Sequence, residues 1–262
     1  MGKNVANQAP SLPVLVLSIA ALVALWQGAA WATADATVMP GPVEVWRLML
    51  SEAARGDLGF HVLATLRRVA LAFGLAMVLG VIIGVALGLS PRANRWFGAW
   101  VVVFQNIPAL VVIVLCYLWI GLNETAAVIA VAVNKTAMVA VTLREGVQAI
   151  DPRINDMARV FRMGRAKWVR HVLLPQLWPY LAVAMRNGVA IIWKLVLVVE
   201  FLGRSNGVGF QIHLYFQLFE TGYVLAYAFS FVAVMLVLEF AVLQGIERRT
   251  TRWRRLSAGQ AA

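Results

Sequence analysis

Residues 63–89 read LATLRRVALAFGLAMVLGVIIGVALGL and carry no charged side chain after Arg68. A helix needs about 20 mostly apolar residues to cross the hydrocarbon core of a bilayer, so this stretch predicts a membrane-spanning helix. Gly80, Gly84 and Gly88 recur every four residues and share one face of that helix. Small residues at this spacing let two helix backbones approach closely in lipid. We therefore expect a second helix to pack against them.

The composition of the whole chain is that of a membrane protein. Of its 262 residues, 61% are hydrophobic and 13% are charged, and the mean hydropathy is +0.78. Soluble domains are about 45–50% apolar and about 25% charged, so a soluble enzyme and a disordered chain are excluded. We predict an all-α integral membrane protein with six transmembrane helices. The six apolar stretches are Leu12–Trp31, Leu63–Leu89, Gly98–Gly121, Thr125–Leu143, Leu177–Phe201 and Tyr223–Ile246.

The first apolar stretch admits two interpretations. Ala32, Thr33 and Ala34 resemble a small-residue cleavage site, which would make residues 1–34 a signal peptide. The apolar run is about 20 residues long, whereas that of a signal peptide is about 7–15. We therefore favour a retained first transmembrane helix.

The rest of the chain divides into a short outer segment, a core and a tail. Residues 35–62 form the outer segment, in which Val43 to Ala54 predict a short amphipathic helix. Residues 63–246 form a five-helix core, and Pro108 predicts a kink in the third apolar stretch. Residues 247–262 form a basic tail.

The positive charges predict the orientation. A net charge of +11 could indicate nucleic-acid binding, but the 23 Lys and Arg cluster beside apolar stretches. Most of them fall in inner segments if the N-terminus is inside, above all in residues 144–170 and 248–255. The positive-inside rule then predicts that both termini are cytoplasmic. Anionic lipid is the simpler explanation for the basic tail, so we expect no nucleic-acid partner.

Residues 145–179 form an inner loop far longer than a connection between two spans requires. Asp151 and Pro152 predict a helix start, because Asp caps a helix and Pro suits its first turn. Gly164 predicts the end of that helix, and Lys167–Leu174 predicts a second one. The apolar stripe of the first helix consists of Ile154, Met157, Ala158, Val160 and Phe161.

A basic helical hairpin of this kind has two physical uses. It can lie on the membrane surface with its apolar stripe in the lipid. Alternatively, the stripe can fill a groove on a soluble partner. The residues alone leave both uses open.

The loop resembles the EAA loop of permease subunits of type I ABC importers. In that pattern a Glu-Ala-Ala motif precedes a Gly and, further on, an apolar pair with Pro. Asp156-Met157-Ala158 falls on the motif, and Leu173-Leu174-Pro175 falls on the closing pair. Arg159 and Phe161 match the subgroup that imports sulfonates, taurine, nitrate and similar nutrients.

One position departs from the family pattern. The family Gly falls on Arg162, whereas this chain has Gly164 two residues later. The geometry of the turn is therefore open, although the location of the loop is not. The resemblance extends over roughly Pro40 to Trp253. It includes Thr65-Leu66-Arg67-Arg68, Ile107-Pro108, Trp119-Ile120-Gly121-Leu122, Glu200 and Gly207-Val208-Gly209.

The resemblance implies a type I ABC importer permease fold, with a cytoplasmic coupling-helix hairpin, in a bacterial inner membrane. It implies two ATPase subunits, a periplasmic substrate-binding protein and a second permease copy as partners, and a small anionic nutrient as substrate. This chain would bind no cofactor, because it has no GxxxxGK[ST] loop, and ATP and Mg would be bound by the ATPase. The residues implied in ATPase coupling are Asp156, Met157, Ala158, Arg159, Phe161, Arg162 and Gly164.

Several charged residues lie within the predicted spans. A charge at mid-bilayer costs about 2.5–3.5 kcal/mol on insertion scales, so such residues are usually paired or line water. Lys135, Lys194 and Arg186 either line a pathway for anions or form ion pairs. Glu200 and Glu239 are the candidate acids for such pairs.

Other chemistry receives little support. Cys116 is the only cysteine, which excludes an internal disulfide. His61, His171 and His213 are far apart, so no metal site is expected. Two rival functions remain: an ion-coupled secondary transporter, which would work without ATP, and an integral-membrane enzyme or scaffold. The last would carry a polar catalytic cluster at the end of a span, and the sequence indicates none.

Overall fold

The structure, a computed structural model, describes residues 12–258 and the side chains of residues 13–154 and 156–241. This part of the chain is helical and contains no strand. Lys3 and the side chains of the predicted basic tail lie outside the described residues. The helices are α1 (Leu12–Thr33), α2 (Pro42–Arg55), α3 (Asp57–Leu89), α4 (Pro91–Asn106), α5 (Ala109–Ile120), α6 (Glu124–Gln148), α7 (Pro152–Val160), α8 (Arg165–Trp168), a π-helical turn (Val169–Leu173), α9 (Leu174–Gly203), α10 (Val208–Gln217) and α11 (Thr221–Ala258).

The predicted all-helical membrane architecture is confirmed. α1, α3, α6, the helix from α8 through α9, and α11 are each long and apolar enough to cross a membrane. The third predicted span, Gly98–Gly121, falls on α4 and α5, which are bent by 95° at their junction, so the kink predicted at Pro108 is confirmed. Ile107 and Pro108 are extended there, with ψ of 127° and 131°. Proline lacks the N–H that would continue a helix and disfavours helical geometry in the preceding residue.

The relative direction of α3 and α6 shows that α4 and α5, which connect them, cross the bundle. Arg68 contacts Glu124 near the start of both helices, and Gly88 lies against Val147 near their ends. The two helices are therefore parallel, so α4 and α5 together carry the chain back across the bundle as one bent crossing. This supports the predicted six crossings. We call the end that contains residues 149–164 the loop end.

The predicted close packing of the glycine face of α3 is confirmed. A Cβ placed on Gly80 would lie 2.5 Å from the Cβ of Val139. A Cβ on Gly84 would lie 2.5 Å from the carbonyl oxygen of Ala140. The backbones of α3 and α6 thus approach so closely that side chains at these glycines would force the helices apart.

α8 and α9 form one helix, so the predicted separate helix Lys167–Leu174 is wrong. Residues Arg165–Gly203 are continuous over 39 residues. Within this helix the Leu174 N–H donates to the Val169 carbonyl, which makes one turn wider than an α-helical turn. Pro175 follows directly. Its ring would clash with a carbonyl four residues earlier in a regular helix, and the wider turn avoids that clash.

α1 and α2 lie at the edge of the bundle. The Trp26 indole donates to the Pro40 carbonyl at 3.1 Å and connects α1 to the segment before α2. The predicted short helix at Val43–Ala54 is confirmed as α2. Its buried Glu52 accepts a hydrogen bond of 2.7 Å from the Tyr227 hydroxyl, which fixes α2 to α11.

Candidate functional site

α7, at the loop end, is the helix that Asp151 and Pro152 predicted. Asp151 Oδ1 accepts a hydrogen bond of 2.9 Å from the Arg153 N–H. Pro152 stands in the first turn, where its missing N–H has no partner to lose. The helix ends at Val160, so the prediction that Gly164 ends it is wrong. Gly164 is extended and precedes α8 instead.

Arg162 closes α7 in a left-handed conformation with φ of +47°. Its N–H donates to the Arg159 carbonyl, and the Met163 N–H donates to the Ala158 carbonyl, both at 2.9 Å. These two hydrogen bonds form a Schellman motif, in which glycine usually occupies the left-handed position. A side chain there costs about 1–2 kcal/mol. The turn therefore keeps the geometry that suits glycine while carrying an arginine.

The apolar stripe of α7 divides into an exposed part and a buried part. Met157 is 48% exposed, Val160 is 79% exposed and Phe161 is 74% exposed. Together they form an apolar surface outside the bundle. Ala158 is only 4% exposed, and Ile154 is half-buried. Ala158 therefore supports the hairpin from within, while the three larger residues are available to a partner.

Exposed cations surround this apolar surface. Asp156 and Arg159 form an exposed ion pair at 3.8 Å. Residues 161–167 line a depression of about 460 Å³ beside it. The exposed cations of the hairpin are Arg153, Arg159, Arg162, Arg165, Lys167 and Arg170. The loop end thus combines a small apolar surface with a strongly positive rim.

The lysines predicted inside the membrane have no acidic partner in the part of the chain with described side chains. Lys135 on α6 is 8% exposed. Lys194 on α9 is exposed, and its Nζ lies 5.4 Å from the centroid of the Trp193 ring. Neither ammonium forms an ion pair with Glu239 or another described acid. Arg186, also on α9, is exposed.

Arg68 joins three elements at the end opposite the loop. Its Nη1 donates to Glu200 Oε1 at 2.6 Å and to the Asn206 carbonyl at 2.9 Å. Its Nε and Nη2 donate to the two carboxylate oxygens of Glu124 at 2.8 and 3.0 Å. Arg68 is 3% exposed, and Glu200 is fully buried. Glu200, a candidate partner for a transmembrane lysine, is instead paired with Arg68.

The connection from α9 to α10 closes over Glu200. The Gly209 N–H and the Thr65 hydroxyl both donate to Glu200 Oε2 at 2.9 Å. Gly207 has φ of +109°, and a Cβ there would overlap the Glu200 carboxylate. The Gly207 N–H donates to His61 Nδ1 at 3.0 Å. Glycine is thus required at position 207 both by the backbone conformation and by the space available.

This polar cluster was missed from the sequence, because only a catalytic cluster was considered at the end of a span. His61, Thr65 and Arg68 are spaced at three to four residues and so share one face of α3. That spacing was the available signal. The charged groups of the cluster are hydrogen-bonded to one another and so connect the helices. In the described part of the chain, no group of three or more His, Cys, Asp or Glu side chains could hold a metal ion.

Comparison with known families gives a match over most of the chain. A sequence model of the family described as binding-protein-dependent transport system inner membrane component matches residues 76–252. A putative aliphatic sulfonates transport permease protein of Bacillus subtilis is 28% identical over 236 residues, covering 90% of this chain and 85% of that protein. The taurine transport system permease protein of Escherichia coli is 26% identical over 250 residues, covering 91% and 90%.

A third relative and two solved structures extend the comparison. The bicarbonate transport system permease protein of Synechococcus elongatus is 26% identical over 200 residues, covering 72% of this chain and 71% of that protein. A chain of the MetNI methionine ABC transporter in an inward-facing conformation has a TM-score of 0.63 at 19% identity, covering 77% and 98%. A chain of an amino acid ABC transporter has a TM-score of 0.59 at 24% identity, covering 80% and 96%. Both share the fold.

Proposed function

The chain belongs to the family of binding-protein-dependent transport system inner membrane components, and from that premise we propose that it is the permease of an ATP-driven importer for a small anionic nutrient. It is a multi-pass membrane permease, a transport component rather than an enzyme. Its proposed partners are two ATPase subunits, a periplasmic binding protein and a second permease copy. ATP and Mg belong to the ATPase, and this chain carries no cofactor of its own.

The exposed apolar surface of α7 carries the proposal. Met157, Val160 and Phe161 project from the loop end, and the part of the chain that the structure describes leaves them uncovered. An amphipathic helix with such anchors fits a hydrophobic groove on a partner. We infer that the ATPase supplies that groove and that its closure on ATP moves α7, and with it the helical bundle.

The orientation follows from the charges. The loop end carries the positive rim, and positively charged loops are retained in the cytoplasm. The loop end and both termini are therefore assigned to the cytoplasm, where the ATPase is available. The opposite end, with the Arg68 cluster, then faces the periplasmic binding protein.

The anionic character of the substrate rests on two observations. The relatives are named for sulfonates, taurine and bicarbonate, all of which carry an anionic group. In addition, Lys194 is exposed nine residues before the end of α9, about 14 Å along the helix and thus near mid-bilayer. An ammonium that faced hydrocarbon would be costly. We infer that Lys194 faces the translocation pathway, and that Lys135 and Arg186 add to its positive potential.

Replacement of one exposed aromatic residue tests the docking role. Phe161→Asp places a charge in the proposed groove, and we expect the ATPase to be lost from the purified complex while the permease stays folded in the membrane. Phe219→Asp is the matched control. Phe219 is 84% exposed and lies at the opposite end, where the neighbouring Gly222 packs on Leu48 of α2. An intact, transporting complex with Phe161→Asp would refute the proposal.

A further inference from the structure

We propose that Arg162 binds an acidic side chain of the ATPase, which enters the depression lined by residues 161–167 and sets the affinity of the permease for its own ATPase. The proposal rests on the docking of α7 described above. It adds a specific charged contact to what is otherwise an apolar interaction, and it assigns that contact to one residue.

The backbone of Arg162 is the first observation. Its φ of +47° places an L-side chain in the left-handed region, where glycine fits without strain. Two hydrogen bonds of 2.9 Å hold the turn in this conformation. The side chain is exposed and forms no hydrogen bond or ion pair with the rest of the described chain. No contact within the described residues therefore accounts for an arginine at a position that favours glycine, and strained positions of this kind tend to mark functional sites.

The shape and charge of the neighbouring surface give the second observation. The depression of about 460 Å³ is bordered by Arg162, Arg165 and Lys167, and Phe161 lies at its edge. It contains no acidic residue. A guanidinium binds a carboxylate through two parallel hydrogen bonds, which gives the contact both energy and direction. An Asp or Glu side chain next to an apolar groove on the ATPase therefore fits this surface.

The structure favours a protein carboxylate over a lipid headgroup. Anionic lipid attracts any nearby cation, and the attraction depends little on the exact position of the charge. Arg165 and Lys167 supply such cations from a helical segment without backbone strain. A lipid surface thus gives no reason to place a further arginine at the left-handed position, whereas a defined carboxylate on a docked protein does.

The test compares two variants that differ only in backbone strain. Arg162→Gly removes the side chain and relieves the strain, and Arg162→Ala removes the side chain and keeps it. The ATPase is first identified by its co-purification with the wild-type chain and is then purified alone. The permease is placed in nanodiscs of zwitterionic phosphatidylcholine, and its Kd for this ATPase is measured. We expect both variants to raise the Kd about tenfold, with a weaker dependence on salt. Arg162→Lys should retain most of the affinity.

Phe219, another exposed residue with a left-handed backbone, provides a matched control. Phe219 has φ of +58°, and the Phe219 and Glu220 N–H groups close a similar turn at the opposite end. Phe219→Gly relieves the same strain away from the ATPase and should leave the Kd unchanged.

Three results would overturn the inference. One is unchanged affinity in Arg162→Gly while the wild-type chain binds. Another is a loss of affinity for the ATPase in Arg162→Ala but not in Arg162→Gly, which would mean that the effect comes from strain in the turn and not from the lost guanidinium. The third is an effect seen only in discs that contain anionic lipid, which would assign Arg162 to the membrane. Absence of binding by the wild-type chain would instead refute the proposed function itself.

Discussion

Arg68 on α3 and Glu200 on α9 are separated by 132 residues in the chain, and their side chains meet at 2.6 Å inside the bundle. Because Arg68 also contacts Glu124, the same guanidinium connects α3, α6 and α9. Glu200 in turn anchors the glycine-rich connection to α10. One buried arginine therefore links three helices at this end of the protein.

Arg68→Lys should destabilise the protein by about 3–5 kcal/mol, because an ammonium cannot replace the forked contacts and leaves a buried carboxylate incompletely paired. The measurement is thermal unfolding of the purified protein in detergent. Arg67→Lys is the control. Arg67 is exposed and reaches Glu124 only at 3.6 Å, and such pairs contribute about 0–1 kcal/mol. Equal stability of the two variants would contradict the structural role of Arg68.

Gly84→Ala should separate α3 from α6, because the new Cβ would stand 2.5 Å from the Ala140 carbonyl oxygen. Overpacking of this kind costs about 1–3 kcal/mol. Gly74→Ala in the same helix adds a methyl group that meets no atom within 4 Å, and it should be neutral or slightly stabilising. The same unfolding assay compares the two. A Gly84→Ala protein as stable as the Gly74→Ala protein would mean that the helices are not in such close contact.

Lys194→Met should lower uptake of an anionic substrate about tenfold in proteoliposomes containing the whole transporter, because the pathway loses positive potential. Lys194→Arg keeps the charge and should transport at close to the wild-type rate. The amount of folded complex is measured alongside. Unaltered uptake by Lys194→Met would remove Lys194 from the pathway, and loss of the folded complex would indicate a structural role instead.

Tyr227→Phe should cost about 1–3 kcal/mol, because it removes the hydrogen bond to Glu52 and leaves that buried carboxylate short of a donor. Tyr223→Phe is the control, since the Tyr223 hydroxyl has no hydrogen bond within the described part of the chain. Denaturant titration of both variants gives the comparison. If they unfold at the same concentration, the Glu52 contact does not hold α2 in place.

Local signals in the sequence predicted much of this architecture. The glycine repeat of α3 predicted its close contact with another helix, since the spacing alone places Gly80 and Gly84 on one face. Asp151 and Pro152 predicted the start of α7, because capping involves only neighbouring residues. Pro108 predicted a break, although the bend angle of 95° depends on how α4 and α5 pack on the rest of the bundle.

Features that depend on contacts between distant residues were not predicted. The partner of Glu200 could not be chosen from the sequence, because Arg68 and the transmembrane lysines all offer a suitable charge. The end of α7 was placed at Gly164 because glycine is the usual residue at helix ends. In the structure Arg162 occupies the left-handed position instead. An L-residue there costs only about 1–2 kcal/mol more than glycine, which is small enough for other contacts to override.

The parallel pairing of α3 with α6 also has a consequence for biosynthesis. α3 leaves the ribosome first, and the helix that fills its glycine face is completed only after the bent pair has been made. At about 5–20 residues per second, α3 waits for several seconds with this face uncovered. During that interval lipid or an insertion factor must occupy the face, so the nascent chain is most vulnerable to misassembly before its second half is translated.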